Sequence, residues 1–559
     1  MIRNLFPYPL FRIDQLSGYC ALAVGLFFIL TAIYSFRFMR GKKGIAQYYL
    51  YIILVAISSV LVILSNDFVM LLVFWGFLGL LLYLLINMGN ANAGRAAQKS
   101  LIIVGGSDAL MLLGIAIIFY FSGTFQMDLI KLQLNGGLLV LAYICIALAC
   151  FAKAGVMPLH SWIPDCAANA PLPVTAYLPA SLDKILGIYL LARITLNIFV
   201  MNNAMNIFLM CMGAFTIMAA VMMALVQHNL KKLLGYHAVS QVGYMVLGIA
   251  TGNPVGIAGG LFHMLNNAIY KSCLFLTAGN VEYRTGTTEL DKLGGLGKSM
   301  PVTYISCLIA SLSISGVPPF NGFVSKWLIY QGLILNISDS PNKLQSIFGT
   351  FCLVAAMFGS ALTLASFLKL LHAVFLGARL NYEKQIKEVP FSMWLPCLLL
   401  AATCVIFGVF AFLVPLKYFI FPAVASIYGP VNISNLIGAW SPVLVTLIMV
   451  IGFLLGFILF RVMRLNTTLR RDGAFVGGEA IQKEESMPSG TDFYNTIKET
   501  GPLQYIYKKA EAKTFDIYEQ AKKLSVISRP FQSLHNGVLP TYLVWILLGM
   551  VGLFFMFVR

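Results

Sequence analysis

Charged residues are scarce in this chain, and their scarcity limits the classes of protein to which it can belong. Of its 559 residues, 11% are Asp, Glu, Lys or Arg and 59% are hydrophobic, and the mean hydropathy is +0.84. Soluble globular domains carry about 25% charged residues. The composition therefore excludes a soluble protein of this size and predicts an all-α, polytopic membrane protein.

The chain also lacks the patterns that hold metals, nucleotides or redox groups. Its ten cysteines are scattered singly, without a Cys-x-x-Cys pair, and its six histidines show no ligand spacing. Glycine-rich phosphate-binding patterns of the Gly-x-Gly-x-x-Gly or Walker type are absent as well. We therefore predict that this chain carries no metal and no cofactor, and that its cysteines are small apolar residues packed between helices.

Long apolar runs recur along the chain, each close to the roughly 20 residues that cross a bilayer. They predict a membrane helical bundle of about 14 transmembrane spans, two of which are broken by Gly and Pro. The predicted spans are 17–38, 47–65, 67–88, 101–121, 137–170 (broken), 175–197, 205–227, 234–251, 256–279, 300–336 (broken), 347–376, 390–415, 440–460 and 540–558.

The net charge of +17 is concentrated in alternate loops between these spans. One set of loops is rich in Lys and Arg, and the loops between them hold about one such residue each. Because Lys and Arg accumulate on the cytoplasmic side, we predict that both termini lie outside and that residues 461–539 are cytoplasmic. The positive charge is thus a topology signal, and we predict no binding to nucleic acid.

Three lysines, Lys153, Lys184 and Lys326, lie inside stretches that are otherwise apolar. A charged residue at the centre of a membrane helix costs about 2.5–3.5 kcal/mol on insertion scales, so three of them represent roughly 10 kcal/mol. Intramembrane ionisable residues mark ion paths, because burial brings an ammonium group closer to the pKa at which it loads and releases a proton. We therefore predict an ion path through these lysines.

Both broken spans stop at Gly and Pro with a lysine close by. The first reads Lys153-Ala-Gly-Val-Met-Pro-Leu-His-Ser-Trp-Ile-Pro-Asp165, and the second reads Ser315-Gly-Val-Pro-Pro-Phe-Asn-Gly-Phe-Val-Ser-Lys326. Unwound backbone at membrane depth is tolerated only where it is buried in protein or lines a water-filled cavity. Interrupted helices at corresponding positions of two halves indicate a transport site. The alternative is a pair of proline kinks that serve helix packing.

These breaks belong to a longer series of motifs. The series resembles the antiporter-like, proton-translocating membrane subunits of respiratory complex I, of multisubunit cation/proton antiporters, and of membrane-bound hydrogenase and formate hydrogenlyase complexes. It runs in order over roughly residues 45–390. Its other members are Lys184-Ile-Leu-Gly-Ile-Tyr-Leu-Leu-Ala-Arg193, Leu234-Gly-Tyr-His237-Ala-Val-Ser240-Gln241, Phe262-His263-Met-Leu-Asn-Asn267-Ala-Ile-Tyr-Lys271 and Leu293-Gly-Gly-Leu-Gly-Lys298.

The resemblance implies two inverted five-helix repeats, each with a broken helix, that form two half-channels joined by a polar axis at mid-membrane. It implies a role in ion movement for the matching residues, which are Asp108, Lys153, Lys184, His263, Lys271 and Lys326. Lys326 matches the residue from which the ion is thought to leave. The expected organisation is N-terminal spans over 1–66, a first half-channel over 67–200, a second over 201–390, additional spans over 391–460, a cytoplasmic segment over 461–539 and an anchoring span over 540–559.

Three positions depart from the family pattern in or near the first half-channel. Gly76, in Trp75-Gly76, stands where the family has a glutamate that faces the first lysine. Pro179 and Asn267 stand in place of family histidines. Two N-terminal helices of the family also have no counterpart ahead of Gly76. The first half-channel is therefore expected to be modified, and its inactivity is an open alternative.

Two further carboxylates could replace the missing glutamate as a partner for Lys153. Asp183 is an additional acid beside Lys184. Adjacent residues on a helix do not face each other, so Asp183 would have to reach Lys153 across helices. Asp108, in the preceding helix, is the second candidate.

The last hundred residues carry a separate signal. Between Pro502 and Pro530 a weak apolar stripe predicts a helix of about 23 residues, roughly 35 Å long. Together with the final span, it resembles the lateral helix and anchor with which distal subunits of the family strap their neighbours. The sequences Phe475-Val-Gly-Gly-Glu479 and Asp492-Phe-Tyr494 are similar to the hydrogenase branch. The alternative is a free amphipathic helix on the membrane surface.

We therefore interpret the chain as an ion-translocating subunit of a redox-driven complex in a prokaryotic cytoplasmic membrane. It would move H⁺ or Na⁺, contact lipid, and assemble with membrane and peripheral subunits that carry iron–sulfur or nickel–iron centres. One alternative is a subunit of a multisubunit Na⁺/H⁺ antiporter driven by an existing gradient. The other is a structural subunit whose first half-channel has degenerated at Gly76.

Overall fold

The computed structural model describes residues 9–339, 343–377, 385–428, 431, 440–462, 491, 494–524 and 539–557, and these are almost entirely helical. The helices are α1 (Gln15–Phe38), α2 (Ile45–Leu64), α3 (Phe68–Ile86), α4 (Ala93–Ser122), α5 (Gly137–Ala154), α6 (Trp162–Asn169), α7 (Leu172–Ile198), α8 (Asn203–Leu225), α9 (Leu230–Ala250), α10 (Pro254–Thr285), α11 (Pro301–Ser315), α12 (Asn321–Ser338), α13 (Lys343–Leu376), α14 (Phe391–Val409), α15 (Leu416–Tyr428), α16 (Pro442–Val462), α17 (Asn495–Glu499), α18 (Gly501–Glu511), α19 (Ile517–Leu524) and α20 (Leu539–Phe557). Two short parallel strands, β1 (Leu132–Gln133) and β2 (Phe199–Val200), join two loops.

The chain is a multi-pass membrane protein. Within the described residues, eleven helices are long and apolar enough to cross a membrane. Each run predicted from the sequence coincides with a helix or a pair of helices, and both breaks fall where Gly and Pro interrupt the apolar pattern. The helix α15, in contrast, had no counterpart among the predicted spans, because it is too short to give a full-length apolar run.

Short polar side chains fix where several helices begin. Asp67 accepts hydrogen bonds from the first backbone N–H groups of α3, and Asn202, Asn229 and Asn253 do the same for α8, α9 and α10. Asp14 and Ser17 form a reciprocal capping box at α1. These caps satisfy N–H groups that a helix cannot pair internally, and so they set the ends of long apolar helices at the polar boundary.

Two successive runs of the chain have the same order of elements. Residues 45–198 form three helices, a broken helix (α5 and α6) and a further helix, α7. Residues 203–376 repeat that order with α8 to α10, a broken helix (α11 and α12) and α13. The centre of the bundle is made by α7, α9 and α10, which are buried over nearly their whole length. Any polar side chain on these three helices is therefore enclosed by protein.

Residues 500–559 form a separate compact unit. The continuous helix predicted between Pro502 and Pro530 is interrupted there, since α18 ends at Glu511 and α19 begins at Ile517. Lys513 has a left-handed backbone (φ +56°), and the Asp516 carboxylate accepts a hydrogen bond from Tyr518 N at 3.0 Å. A helix stop followed by a new cap thus overrides the weak apolar stripe. Residues 475–479 and 492–493 lie outside the described residues.

Candidate functional site

The two breaks have the same backbone design. At the first, Gly155 adopts φ +86° and Val156 N donates to Phe151 O. At the second, Gly316 adopts φ +79° and Val317 N donates to Leu312 O. In both, a glycine in the left-handed region ends the helix and the next amide closes its last turn, as in common C-terminal caps. This shared geometry favours a repeated structural unit over two unrelated proline kinks.

A buried ammonium group lies at each break. A Cβ atom added at Gly155 would lie 3.5 Å from Lys184 Nζ. At the second break, Lys326 Nζ donates to Ile314 O at 2.9 Å, and a Cβ at Gly316 would lie 3.7 Å from the same nitrogen. Lys184 is fully buried and Lys326 is 2% exposed. The predicted lysines therefore contact the unwound segments directly.

Lys326 also reaches the place that Lys153 holds in the first run. Lys153 lies two residues before Gly155, and Ile314, whose carbonyl binds the Lys326 ammonium, lies two residues before Gly316. Each of these lysines faces an aromatic ring from the second helix of its run. Lys153 Nζ is 4.5 Å from the ring centroid of Trp75, and Lys326 Nζ is 4.6 Å from that of Tyr244. Desolvated contacts of this kind stabilise a cation on the ring face.

In the first run, Trp75 separates Lys153 from a carboxylate. Its indole N–H donates to Asp108 Oδ1 at 3.1 Å, while Lys153 lies over its ring face. A Cβ added at Gly76 would lie 3.7 Å from Asp108 Oδ2. Asp108 and Lys153 interact electrostatically, yet no ion pair or hydrogen bond joins Lys153 to another side chain among the described residues. Asp108 is thus the side chain that a substitution at position 76 would contact.

Asp183 is a second acid near Lys153. It is 2% exposed and interacts electrostatically with both Lys153 and Lys184. One oxygen, Oδ2, has no hydrogen-bond partner within the described chain, and the same holds for both ammonium groups. The structure therefore brings together four predicted residues, of which Lys153, Asp183 and Lys184 are buried and Asp108 is half-buried. Unpaired buried charges of this kind are costly and require polar partners that the side chains alone do not supply.

In the second run, His263 is the centre of a buried polar group. His263 Nδ1 lies 2.9 Å from Ser325 Oγ, next to Lys326, and Nε2 lies 3.2 Å from Gln241 Oε1. The Tyr270 hydroxyl lies 3.3 Å from the same Nε2. Hydrogen bonds therefore lead from α9 through the imidazole on α10 to the residue beside Lys326. Such a chain can pass a proton between its members.

The helix α10 connects the two groups. Asn267 Nδ2 donates to Ala180 O on α7 at 3.4 Å, and Lys271 interacts electrostatically with Lys184. Lys271 Nζ donates to Leu234 O at 2.9 Å, so its ammonium lies toward the start of α9. Asn267, where the family has a histidine, keeps a polar link between the two runs.

One further ion pair in the first run joins α4 to α6. Lys99 Nζ is 2.7 Å from Asp165 Oδ2, and it joins the start of α4 to α6. Lys99 and the predicted partner Asp108 lie on the same helix, separated by a π-helical turn over Leu101–Gly105. Asp165, the last residue of the first break sequence, therefore pairs across helices.

Comparison with known proteins agrees with these positions. The family described as "NADH:quinone oxidoreductase/Mrp antiporter, TM" matches residues 65–339, which include both breaks and all seven predicted site residues. Residues 65–339 of this chain belong to that family.

Named relatives come from several kinds of complex. Hydrogenase-4 component B of Escherichia coli is 30% identical over 419 residues, which cover 72% of this chain and 62% of the relative. One Na(+)/H(+) antiporter subunit, from Alkalihalophilus pseudofirmus, is 30% identical over 421 residues, covering 71% and 52%. Formate hydrogenlyase subunit 3 of Escherichia coli is 36% identical over 272 residues, covering 46% and 44%. The chain thus spans between 44% and 62% of the length of these relatives.

Solved structures share the antiporter-like fold. A chain of the membrane-bound sulfane sulfur reductase, an archaeal respiratory membrane complex, aligns with a TM-score of 0.78 and 24% identity, covering 98% of this chain and 89% of its own. A chain of the Mrp complex from Dietzia sp. DQ12-45-1b aligns with a TM-score of 0.68 and 23% identity, covering 75% and 84%.

Several site residues of this family member escaped the sequence reasoning. Trp75, Gln241 and Tyr244 lie inside motifs that carried the resemblance, but periodicity does not show which motif residues turn toward a lysine. Tyr270 and Ser325 were equally inconspicuous, because each is a neighbour of a predicted residue. The usable signal was spacing, since Tyr270 falls two helical turns after His263. Within the described residues, no group of three or more His, Cys, Asp or Glu could hold a metal ion.

Proposed function

We propose that this chain is an ion-translocating subunit of a redox-driven multisubunit membrane complex, and that it moves H⁺ or Na⁺ through its buried lysines. One observation carries the proposal. Each helix break has a buried ammonium group against its unwound backbone, Lys184 at Gly155 and Lys326 at Gly316. A fold that served only as a scaffold has no use for two such costly placements.

The proposed topology has fourteen crossings and two inverted five-helix repeats. Residues 45–198 and 203–376 each contain five crossings when a broken helix counts as one. An odd number of crossings starts the second repeat on the opposite side of the membrane, which inverts it. We assign the first half-channel to residues 67–200, with α2 completing its repeat, and the second to residues 201–390. Both termini lie outside, and residues 461–539 lie in the cytoplasm.

The proposed route runs along the buried polar groups in order. It begins at Lys153 between its two carboxylates and continues to Lys184. It then passes to Lys271 on α10, with which Lys184 interacts electrostatically. From there, the hydrogen bond between His263 and Ser325 leads to the residue that precedes Lys326. Movement of charge at one lysine shifts the protonation of the next, because each unit of pKa shift corresponds to about 1.4 kcal/mol of interaction.

The remaining parts of the proposal concern neighbours. Two relatives are named as subunits of hydrogenase-4 and formate hydrogenlyase, which supports partners with iron–sulfur or nickel–iron centres and none in this chain. Residues 461–539 would strap such partners, and residues 540–559 would anchor the strap. Membrane and peripheral subunits, and lipid around α16, complete the proposed surroundings in a prokaryotic cytoplasmic membrane.

A gradient-driven Na⁺/H⁺ antiporter is the second candidate, favoured by the 30% identity to the antiporter relative from Alkalihalophilus pseudofirmus. Purification from the native membrane in mild detergent, followed by mass spectrometry, separates the two. Co-eluting iron–sulfur or nickel–iron subunits support the redox-driven complex. A set of small membrane subunits without a redox protein would refute it in favour of the antiporter.

Substitution at Lys326 tests ion movement itself. In proteoliposomes that hold the purified complex and an internal pH or Na⁺ dye, Lys326→Ala is expected to lower driven ion flux about tenfold or more, as for loss of one essential group. The matched control is Lys292→Ala, which removes an exposed lysine. Full flux in an assembled Lys326→Ala complex would instead identify a structural subunit.

A further inference from the structure

A polar cavity of about 650 Å³ lies where α1 begins and where α2 and α7 end, on the outer side of the proposed topology. Its lining includes Asp14, Asn66, Asp128, Tyr189 and Arg193. A cavity of this volume and polarity among membrane helices is a place for water and ions. The helix α7, which contributes Tyr189 and Arg193, also carries Lys184.

An ion pair closes the side of this cavity that faces α7. Two guanidinium nitrogens of Arg193 lie 2.6 Å from the two carboxylate oxygens of Asp14, which makes the pair bidentate. Arg193 Nε also donates to the Tyr189 hydroxyl at 3.0 Å, and Tyr189 donates in turn to Ile63 O at 2.5 Å. Bidentate pairs of this kind are geometrically specific. The pair therefore fixes the end of α7 against the start of α1.

Two hydrogen bonds fix the register between α2 and α7, which run parallel. Tyr177 on α7 donates to Ile52 O on α2, and Tyr189 donates to Ile63 O, so the offset is 125 to 126 residues along the whole contact. Ser59 lies one helical turn before Ile63, on the same face of α2. Ser59 on α2 and Lys184 on α7 therefore both lie between the two levels at which these hydrogen bonds join the helices.

Three buried polar atoms along this line have no hydrogen-bond partner within the described chain. They are Lys184 Nζ, Ser59 Oγ and the Tyr19 hydroxyl. Tyr19, on α1, lies close enough to Tyr189 and Arg193 to interact with both. Buried polar groups are nearly always paired with protein or ordered water. Unpaired hydroxyls on α2, between the levels of the two hydrogen bonds, and beside the cavity therefore indicate a line of ordered water from Lys184 to the cavity.

We propose that the first run of helices has its own outward ion outlet, distinct from the exit at Lys326. It leads from Lys184 to the cavity past the hydroxyls of Ser59 and Tyr19. The pair of Arg193 and Asp14 is its gate. The inference rests on the proposed function, since an outlet requires that Lys184 load and release an ion.

The gate chemistry follows from its charges. Paired with Asp14, Arg193 is neutralised and blocks the passage with its side chain. When the pair opens, the arginine is free to swing into the cavity, where Asp128 already pairs with Arg12 at 3.2 Å. The outlet then presents only hydroxyls and water to the leaving ion. A closed gate at rest prevents the cation from leaking back from the outside.

Accessibility of Ser59 tests the outlet without any transport. In the Ser59→Cys complex, a membrane-impermeant cationic thiosulfonate is applied from the outer side, and the same complex without this substitution gives the background of native cysteines. We expect slow labelling when Arg193 is present. In Arg193→Ala, labelling should be about tenfold faster, which corresponds to a tenfold rise in the fraction of molecules with an open gate. Lys131→Ala, which removes an exposed lysine from the loop between α4 and α5 on the outer side of the proposed topology, is the matched control and leaves the rate unchanged.

Ser59→Cys that stays unreactive in the Arg193→Ala background overturns the outlet, and equal reactivity with and without Arg193 overturns the gate. If Arg193→Ala fails to assemble, Asp14→Asn breaks the same pair from the other side and is judged by the same two outcomes.

Passive ion leak provides the functional measurement. Arg193→Ala is expected to raise the leak in proteoliposomes about tenfold, and Ser59→Ala, which removes the hydroxyl without adding bulk, should suppress that leak when combined with it. A leak that Ser59→Ala does not lower contradicts the route. Lys326→Ala decides the proposed function separately: full flux in Lys326→Ala together with a reactive Ser59→Cys refutes the function and leaves only an accessible hydrated line, whereas lost flux with an unreactive Ser59→Cys refutes the outlet alone.

Discussion

At the scale of single residues, the position of Asp108 changes how the departure at Gly76 is to be understood. A Cβ atom at position 76 would lie in van der Waals contact with Asp108 Oδ2, at 3.7 Å, so a glutamate there would bring a second carboxylate close to Asp108. Trp75 holds that carboxylate through its N–H and holds Lys153 on its face. Without a glutamate at position 76, Asp108 on the neighbouring helix is thus a carboxylate that still interacts with this lysine.

This arrangement predicts that Asp108 and a glutamate at position 76 exclude each other. Gly76→Glu alone is expected to lower driven flux or assembly, because two carboxylates at one site repel and one must be protonated. Adding Asp108→Asn to Gly76→Glu should restore flux to within about threefold of the unsubstituted complex, as coupled neighbours show non-additive effects. Flux in the proteoliposome assay, normalised to assembled complex, is the measurement.

The matched control for this pair is Gly76→Gln, which has the same size as glutamate but no charge. If Gly76→Gln with Asp108→Asn recovers as much flux as the glutamate version, the effect is one of shape, and Asp108 is not the acidic partner. Unchanged flux in Gly76→Glu alone would lead to the same conclusion.

Lys369 illustrates a buried lysine with a structural role. Lys369 is 1% exposed, and its ammonium donates to Leu225 O at 2.8 Å and Gln227 O at 2.9 Å. It therefore caps the end of α8. Lys369→Met is expected to lower the free energy of unfolding by about 1–3 kcal/mol, the cost of unsatisfied buried carbonyls.

A thermal-unfolding measurement on the detergent-solubilised protein checks this, with Lys292→Met as the exposed control. Driven flux per assembled complex should stay unchanged, which separates Lys369 from the lysines of the proposed route. A loss of flux without a loss of stability would place Lys369 on that route instead.

The gate pair has a predictable response to pH. Burial raises the pKa of Asp14, but hydrogen bonding and charge attraction from Arg193 outweigh it, so the pKa lies below its usual value. A lowered pKa in the folded state gives stability that is present above the unfolded value and is lost only as the pH falls through the folded value. Outer pH between neutral and about 5 should therefore leave the passive leak flat. A leak that rises within that window would show that Asp14 does not hold the gate.

Single residues also show where sequence reasoning ended. The identities of Lys153, Lys184 and Lys326 follow from charge in an apolar run, which is a local property. Their partners are not local. Trp75 and Asp108 lie on two different helices, and only packing decides that an indole separates lysine from acid. The burial of Lys369 likewise depends on the end of α8, more than a hundred residues away in the chain.

At the scale of elements, the two breaks are controlled by glycines with positive φ. Any other residue at Gly316 would pay about 1–2 kcal/mol for the left-handed backbone, and its Cβ would lie 3.0 Å from Lys326 Cδ. Gly316→Ala should therefore displace the lysine side chain from Ile314 O. We expect a loss of driven flux of about tenfold, comparable to loss of the positioned group.

Gly123 is the matched control for this substitution. It has a similar backbone (φ +69°) at the end of α4, with open space around its Cβ position. Gly123→Ala should lower stability by a similar amount but leave flux unchanged. Equal loss of flux in the two variants would mean that the backbone penalty alone, and not the position of Lys326, produced the effect.

Helix boundaries followed the sequence where apolar pattern and stop signals agreed. Apolar runs bounded by Asp, Asn, Gly or Pro gave the long spans and both breaks. In the 512–516 region they conflicted, because the apolar stripe continues while Lys513 takes a left-handed backbone and Asp516 caps a new helix. A stripe reports only which face would be buried. It contains no information on whether the backbone remains helical at a given residue.

At the scale of the whole molecule, the polar residues of two similar runs converge on the most buried helices. The cluster around Lys153 includes residues of α7, the group around His263 includes residues of α10, and Asn267 bonds across the contact between these two helices. The apolar pattern predicted the number and order of helices because each span is a local event. It could not predict which polar faces meet, since the register between runs is set by contacts far apart in sequence.

The number of outward exits can be measured, because one exit and two exits predict different fluxes in the Lys326→Ala variant. With a single exit at Lys326, Lys326→Ala alone should reduce driven flux to the level of empty liposomes. If the first run has its own outlet, about one-tenth of the driven flux of the unsubstituted complex should persist, because that share leaves through the outlet and not through Lys326. Adding Lys184→Ala should then remove it, because the outlet begins at that lysine. The double variant with Lys292→Ala in place of Lys184→Ala is the control and should keep the residual flux. If the double variant with Lys184→Ala keeps the same residual flux as Lys326→Ala alone, the remaining ions bypass the first break. That result would contradict a separate outlet that begins at Lys184.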